Sequence, residues 1–134
     1  MTKSASSRKR RPVIALCVVL GAAGAFVHAQ PMQIPNPSAG LTPDPAAGKR
    51  LFAAACAQCH GADLRGTKEG PSLVHRIYEP AHHGDIAFQI AVRYGSRQHH
   101  WGFGDMKPVP GLSPDGVAHI TAYVRAEQRK AGIR

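Results

Sequence analysis

Cys56-Ala57-Gln58-Cys59-His60 is the stretch that decides how the rest of this chain reads. C-x-x-C-H is the attachment signature of c-type haem. Each position has a chemical task. The two thiols add to the two haem vinyl groups as thioethers, and two intervening residues match the separation of those vinyls. The adjacent His60 is then held beneath the iron as its proximal ligand. Two rival readings of C-x-x-C fail on context. A thioredoxin-like redox pair needs a βαβ pattern around it, and no segment here alternates well enough to be a strand. A structural zinc site needs four ligands, usually from a second paired motif, and here only scattered histidines remain.

Outward from the motif, the cysteine count is informative. There are three cysteines in 134 residues. Cys17 lies inside the apolar run Val13 to Val27, which follows Lys3, Arg8, Lys9, Arg10 and Arg11 and precedes Val27-His28-Ala29. A basic end, an apolar stretch and a small-residue cleavage site make residues 1–29 a secretory signal peptide, cut after Ala29. The run is 15 residues, short of the roughly 20 that a permanent span requires. If uncleaved, it would anchor the chain. In either case the body is exported, and a periplasmic location is expected. Cleavage leaves Cys56 and Cys59 with no further cysteine for a structural disulfide.

The same cut removes most of the charge signal. The full chain has a net charge of +9 from 17 basic and 8 acidic residues. The leader holds five of the basic residues and no acid. The remaining 105 residues carry 12 basic and 8 acidic side chains, a net +4. That distribution argues against a nucleic-acid binder, and no stable membrane span is expected after cleavage. Aromatics are scarce, at 6%. A domain this small with so few is marginal unless an apolar cofactor fills its core.

Residues 30–43 carry Pro31, Pro35, Pro37 and Pro43 and read as an extended Pro-rich linker. The domain proper spans 44–134. Asp44-Pro45 is an N-cap followed by Pro at the first helical position, and a helix runs from there to about Cys56. Gly48 on that helix costs about 1 kcal/mol relative to Ala, which close approach of another backbone would justify. Residues 61–80 are Gly- and Pro-rich without period and read as loop. A second helix fits Asp85 to Tyr94, where Ile86, Ile90 and Tyr94 recur every fourth residue and Gly95 is a natural stop. Residues 96–112 are loop again. Ser113-Pro114-Asp115 opens the last helix, whose apolar stripe is Val117, Ile120, Thr121 and Val124. The expected fold is all-α, with three or four short helices and long loops wrapped around one covalent haem.

The iron has a sixth position. Outside the leader the methionines are Met32, in the linker, and Met106, in a Gly/Pro-rich loop before the last helix. Met106 is the expected distal ligand, since a thioether is a soft, neutral donor that favours ferrous iron. Histidine is the competitor. His75, His82, His83, His99, His100 and His119 all lie in the body, and the bland reading makes them solvated loop side chains. Adjacent residues on extended chain point oppositely, so the pairs 82–83 and 99–100 are poor chelators by themselves.

These residues resemble the class I cytochrome c family in its short bacterial form, over about Asp44 to Arg129. The segments that carry the resemblance are Gly48-Lys49-Arg50-Leu51-Phe52, Cys56-Ala57-Gln58-Cys59-His60-Gly61, Gly70-Pro71-Ser72-Leu73, Met106-Lys107-Pro108 and Ile120-Thr121-Ala122-Tyr123-Val124-Arg125. The resemblance implies that the first and last helices cross, with Gly48 and Phe52 against Ile120 and Tyr123. It implies that the Pro71 carbonyl accepts the free ring N–H of His60, and that Leu73 lines the haem pocket. Met is often followed directly by Pro in the family, whereas Lys107 intervenes here. Trp101 and Arg97 could bond the haem propionates, beside the plainer reading of Trp101 as a core side chain and Arg97 as solvated.

The expected function is electron transfer rather than enzymatic catalysis, because His/Met ligation leaves no place for substrate. Redox proteins are the expected partners: a dehydrogenase as donor, and an oxidase or another cytochrome as acceptor. Lys49, Arg50 and Lys107 could form a basic rim that steers an acidic partner. Two alternatives stand beside this reading. One is a ligand-binding or peroxidatic haem protein with an open sixth position. The other is a dedicated cytochrome subunit of an exported dehydrogenase.

Overall fold

Asp44 starts the first helix, α1 (Pro45–Ala55), by accepting the backbone N–H groups of Ala46 (2.8 Å) and Ala47 (3.2 Å) on its two carboxylate oxygens. Those donors have no partner inside the helix, and the carboxylate also meets the positive end of the helix dipole. The computed structural model describes residues 31–134. The signal-peptide reading of residues 1–29 lies outside the described residues. Residues 32–134 form one compact unit.

The remaining helices are α2 (Ala57–His60), α3 (Asp85–Tyr94) and α4 (Pro114–Lys130), with a 3-10 turn at Arg76–Tyr78. α2 and the 3-10 turn fall where the sequence read as helix end and loop. Both are too short to show a period. Ser113 caps α4 through a bond from Gly116 N–H to its hydroxyl (3.1 Å), and Arg129 and Lys130 lie in the last turn, against the negative end of the dipole. Among the described residues there is no strand. One isolated antiparallel bridge joins Ser96 and Met106.

α1 packs on α4 at Gly48. A Cβ there would stand 1.9 Å from the carbonyl oxygen of His119 and 3.0 Å from the nitrogen of Ile120. The two backbones touch, which is the reason for a helical glycine. One turn on, Phe52 meets Tyr123 with ring centroids 5.6 Å apart. Phe52, Leu64, Leu73, Ile120, Tyr123 and Val124 make up the core.

α3 has the expected bounds, but its buried face differs from the expected stripe. Gln89 and Val92 are buried, whereas Ile86 and Tyr94 are 44% and 41% exposed. Spacing of four residues spreads the three apolar side chains over only about 80° of the helix, so they share one face, but that face is rotated away from the one that Gln89 and Val92 bury. Gln89 is turned inward by a bond from its amide to the Pro114 carbonyl (2.9 Å).

The Pro-rich segment is extended and docked onto the helices. Ser38 donates through its backbone N–H (2.6 Å) and its hydroxyl (2.8 Å) to the two oxygens of Asp115. The Tyr94 hydroxyl donates to the Gln33 carbonyl (2.6 Å). Among the described residues no helix is long and apolar enough to cross a membrane.

Candidate haem centre

Phe52 lies on the buried face of α1, and its carbonyl accepts the Cys56 N–H (2.8 Å) where that helix ends. The chain then makes the single turn α2. The Cys59 and His60 N–H groups both bond back to the Cys56 carbonyl, at 3.2 and 3.0 Å. Cys56, Cys59 and His60 are therefore fixed on one helical turn, joined directly to the core helix. Cys56 is half-buried against the core and Cys59 is exposed, and both are free thiols. Burial first, and the neighbouring Cys59 second, push the Cys56 thiol up to about 11.

The loop that follows brings Pro71 back over His60. Its pivot is Leu64, buried yet in a left-handed backbone conformation (φ 62°) that costs a branched-chain residue about 1–2 kcal/mol. The Leu64 carbonyl accepts bonds from Leu73 N–H (2.8 Å) and the Ser72 hydroxyl (3.1 Å). Those bonds and the burial of Leu64 hold the turn closed. The His60 Nδ1 then lies 2.9 Å from the Pro71 carbonyl. A carbonyl only accepts, so Nδ1 carries the proton and Nε2 presents a lone pair. Burial lowers the pKa of His60 against the opposing effect of the carbonyl bond. The ring is kept in the neutral form that can ligate a metal.

Met106 lies on a separate loop and is half-buried. Its N–H bonds to the Ser96 carbonyl (2.8 Å), and its carbonyl accepts the Ser96 N–H (2.9 Å). Gly95, beside that bridge, has φ 79°, and a Cβ on it would stand 2.5 Å from the Met106 carbonyl oxygen. Both facts require glycine there. Leu73 is buried in the core, and Lys107 is exposed. Trp101 is 37% exposed and packs edge-on against His75, with centroids 4.8 Å apart; it is not the core residue expected of a lone Trp.

Two residues that shape this region were given no role by the sequence. Arg125 and Gln128 are 7% and 1% exposed on α4. The Gln128 amide donates to the carbonyls of Leu73 (2.8 Å) and Tyr78 (3.0 Å). Arg125 donates to the Tyr78 carbonyl (2.7 Å), the Gln128 side-chain oxygen (2.7 Å), the Asp85 carboxylate (2.8 Å) and the His83 carbonyl. Together they tie α4 to the whole 73–85 stretch. Arg125 ends the segment Ile120–Arg125 that carried the resemblance, and Gln128 continues the stripe Val117, Thr121, Val124 at helical spacing.

The cytochrome c family profile matches residues 45–127, which include α1, the C-x-x-C-H turn, Met106 and most of α4. The chain belongs to the cytochrome c family. Its all-α fold is the cytochrome c fold, and its cofactor is covalent haem c, as in other cytochromes c. The residues present fit that group. Two thiols stand one turn apart, and the next side chain is an imidazole whose Nδ1 bonds the Pro71 carbonyl, which leaves Nε2 as the nitrogen that can ligate iron. Among related proteins is subunit CcoP of the cbb3-type cytochrome c oxidase of Rubrivivax gelatinosus. It is 36% identical over 97 residues, covering 68% of this chain and 29% of that protein. The crystal structure of cytochrome cL from Methylophaga aminisulfidivorans superposes with a TM-score of 0.46 at 30% identity, over 61% of this chain and 51% of that one. The chain thus spans under a third of the first protein's length and about half of the second's.

Proposed function

We propose that this cytochrome c is a periplasmic carrier of single electrons, with His60 and Met106 closing the two axial positions of one haem c. The observation that carries the proposal is the His60–Pro71 bond, which fixes ring orientation and tautomer together and so aims a single lone pair at the iron. When bound, the haem supplies a one-electron couple at its iron. Cys56 and Cys59 fasten it through thioethers, and their anchorage to α1 keeps it in register with His60. Pro71 and Leu73 form the pocket wall beside the proximal ligand. Met106 offers a soft thioether that favours the ferrous state. Its two-sided bridge to Ser96 supports a fixed ligand, and a fixed ligand means little rearrangement on electron transfer. With both axial positions closed there is no place for substrate, so the protein is a carrier rather than an enzyme.

Residues 1–29 direct export and are removed after Ala29, residues 30–43 connect, and 44–134 form the cytochrome domain. The partners are other redox proteins. A dehydrogenase is the natural donor, and likeness to an oxidase subunit supports an oxidase or oxidase-linked cytochrome as acceptor. Lys49, Arg50 and Lys107 are all exposed, which suits them to meet an acidic partner.

The test is to record oxidised and reduced spectra of the haem-loaded wild type and of Met106→Ala. The wild type should be low-spin with the sulfur-to-iron charge-transfer band, and the variant should lose the band and turn high-spin. A variant that keeps the band refutes the assignment of Met106. A high-spin wild type favours the ligand-binding reading instead.

A further inference from the structure

Away from the C-x-x-C-H turn, the structure gathers histidines that the sequence left as separate pairs. We propose that His82, His83 and His100 form a second metal site, for one divalent transition cation that accepts imidazole nitrogen, such as Zn2+. One ligand nitrogen from each of the three lies within 4.8 Å of the others. The His82 and His100 Nε2 atoms are 3.2 Å apart. Zinc–imidazole bonds of 2.0–2.1 Å in a tetrahedral site set a nitrogen–nitrogen edge of about 3.3 Å, so this pair already has the spacing of two ligands on one ion.

The third ligand is prepared in the way metal-binding histidines usually are. His83 Nδ1 lies 2.7 Å from the Ile77 carbonyl. That bond puts the proton on Nδ1 and leaves Nε2 as the donor, and such a bond to the non-ligating nitrogen orients the ring. The backbone supplies the convergence. His82 and His83 sit on one turn, their N–H groups both bonding to the Glu79 carbonyl at 3.0 and 2.8 Å. Their rings stand 4.7 Å apart instead of pointing oppositely. The third residue arrives from the 97–105 loop that the Ser96–Met106 bridge closes, and its ring lies 5.2 and 5.3 Å from those of His82 and His83.

His82 and His100 are exposed, so an ion has an entry path. Three protein ligands leave the fourth tetrahedral position to water. Imidazole donors with no carboxylate or thiolate select Zn2+, Cu2+ or Ni2+ over Mg2+ or Ca2+. A bound ion would join the 76–84 segment to the loop that ends at Met106.

The test is calorimetric titration of tag-free, chelator-treated, haem-loaded protein with Zn2+, while the haem spectrum is followed. Wild type should bind one equivalent per chain. His82→Ala/His100→Ala, which removes two exposed side chains, should weaken binding by at least about 100-fold. His119→Gln, on the far loop-to-α4 contact with Asp44, should bind as wild type does. The haem spectrum should be the same in all three. Absence of a stoichiometric site in wild type, or equal binding by the double variant, overturns the proposal. A changed haem spectrum in the double variant also overturns it, because it assigns one of these histidines to the haem iron.

Discussion

Gly48→Ala is the perturbation that most sharply separates local propensity from tertiary packing. On an isolated helix the change stabilises by about 1 kcal/mol. In this fold the new methyl would stand 1.9 Å from the His119 carbonyl oxygen and 2.5 Å from its carbon. Carbon–oxygen contacts settle at about 3.3 Å or more, so α1 and α4 must separate by roughly 1.4 Å. Neither obstacle is a side chain that can swing away. A radial gap of even 0.5–1 Å forfeits a quarter to a half of each contact's dispersion energy, and the separation opens the Phe52–Tyr123 contact one turn on. Overpacking of this kind costs about 3 kcal/mol at the upper end of its usual range. Set against the propensity gain, the net loss is about 2 kcal/mol, or roughly 8–16 °C in Tm for a domain of this size. Thermal or guanidinium denaturation of the haem-loaded protein measures it. Ala53→Gly, on the exposed side of α1, is the control and should lose only about 1 kcal/mol. If Gly48→Ala were as stable as wild type or more so, the close α1–α4 crossing would be refuted.

Arg125→Met keeps the buried stem but removes the donors to the His83 carbonyl and to Gln128, so denaturation should show a loss of about 3 kcal/mol. Asp85→Ala should cost under about 1 kcal/mol, because its carboxylate is 72% exposed and screened by water. A comparable loss in both would mean that the ion pair, rather than the carbonyl clamp, holds the 73–85 stretch. The Asp44 carboxyl is held below its ordinary value of 3.8 by the Ala46 and Ala47 N–H groups. A depressed folded-state pKa contributes stability that is present above the ordinary value and lost as pH falls through the folded one. The stability difference between wild type and Asp44→Ala should therefore be constant near neutrality and shrink in acid. A difference that grew as pH fell would have the wrong sign.

Much of the architecture was legible because its signals are local. Asp44-Pro45 and Ser113-Pro114 mark helix starts whose caps depend only on neighbouring residues, and Gly95 marks a stop for the same reason. Gly48 was legible as a conflict, a poor helix former where something else had to compensate. The C-x-x-C-H turn was legible because thioether spacing is a property of five consecutive residues. The inward face of α3 was not legible. Gln89 faces in because a carbonyl 25 residues away accepts its amide, and no periodicity encodes that. Leu64 was hidden for a similar reason, since its left-handed backbone is held by partners at Ser72 and Leu73. The histidine cluster depends on how two loops fold toward each other, so sequence spacing could only present it as unrelated pairs.

An electron carrier of the proposed kind needs a haem closed on both faces, with Met106 in the sixth position. Exposing the reduced wild-type protein to carbon monoxide at neutral pH tests it most directly. A closed haem should give a spectrum that does not change, together with reversible one-electron oxidation and reduction. Rapid, stoichiometric formation of the carbon monoxide adduct would contradict it, because an iron that admits an outside ligand so readily is not one that Met106 closes.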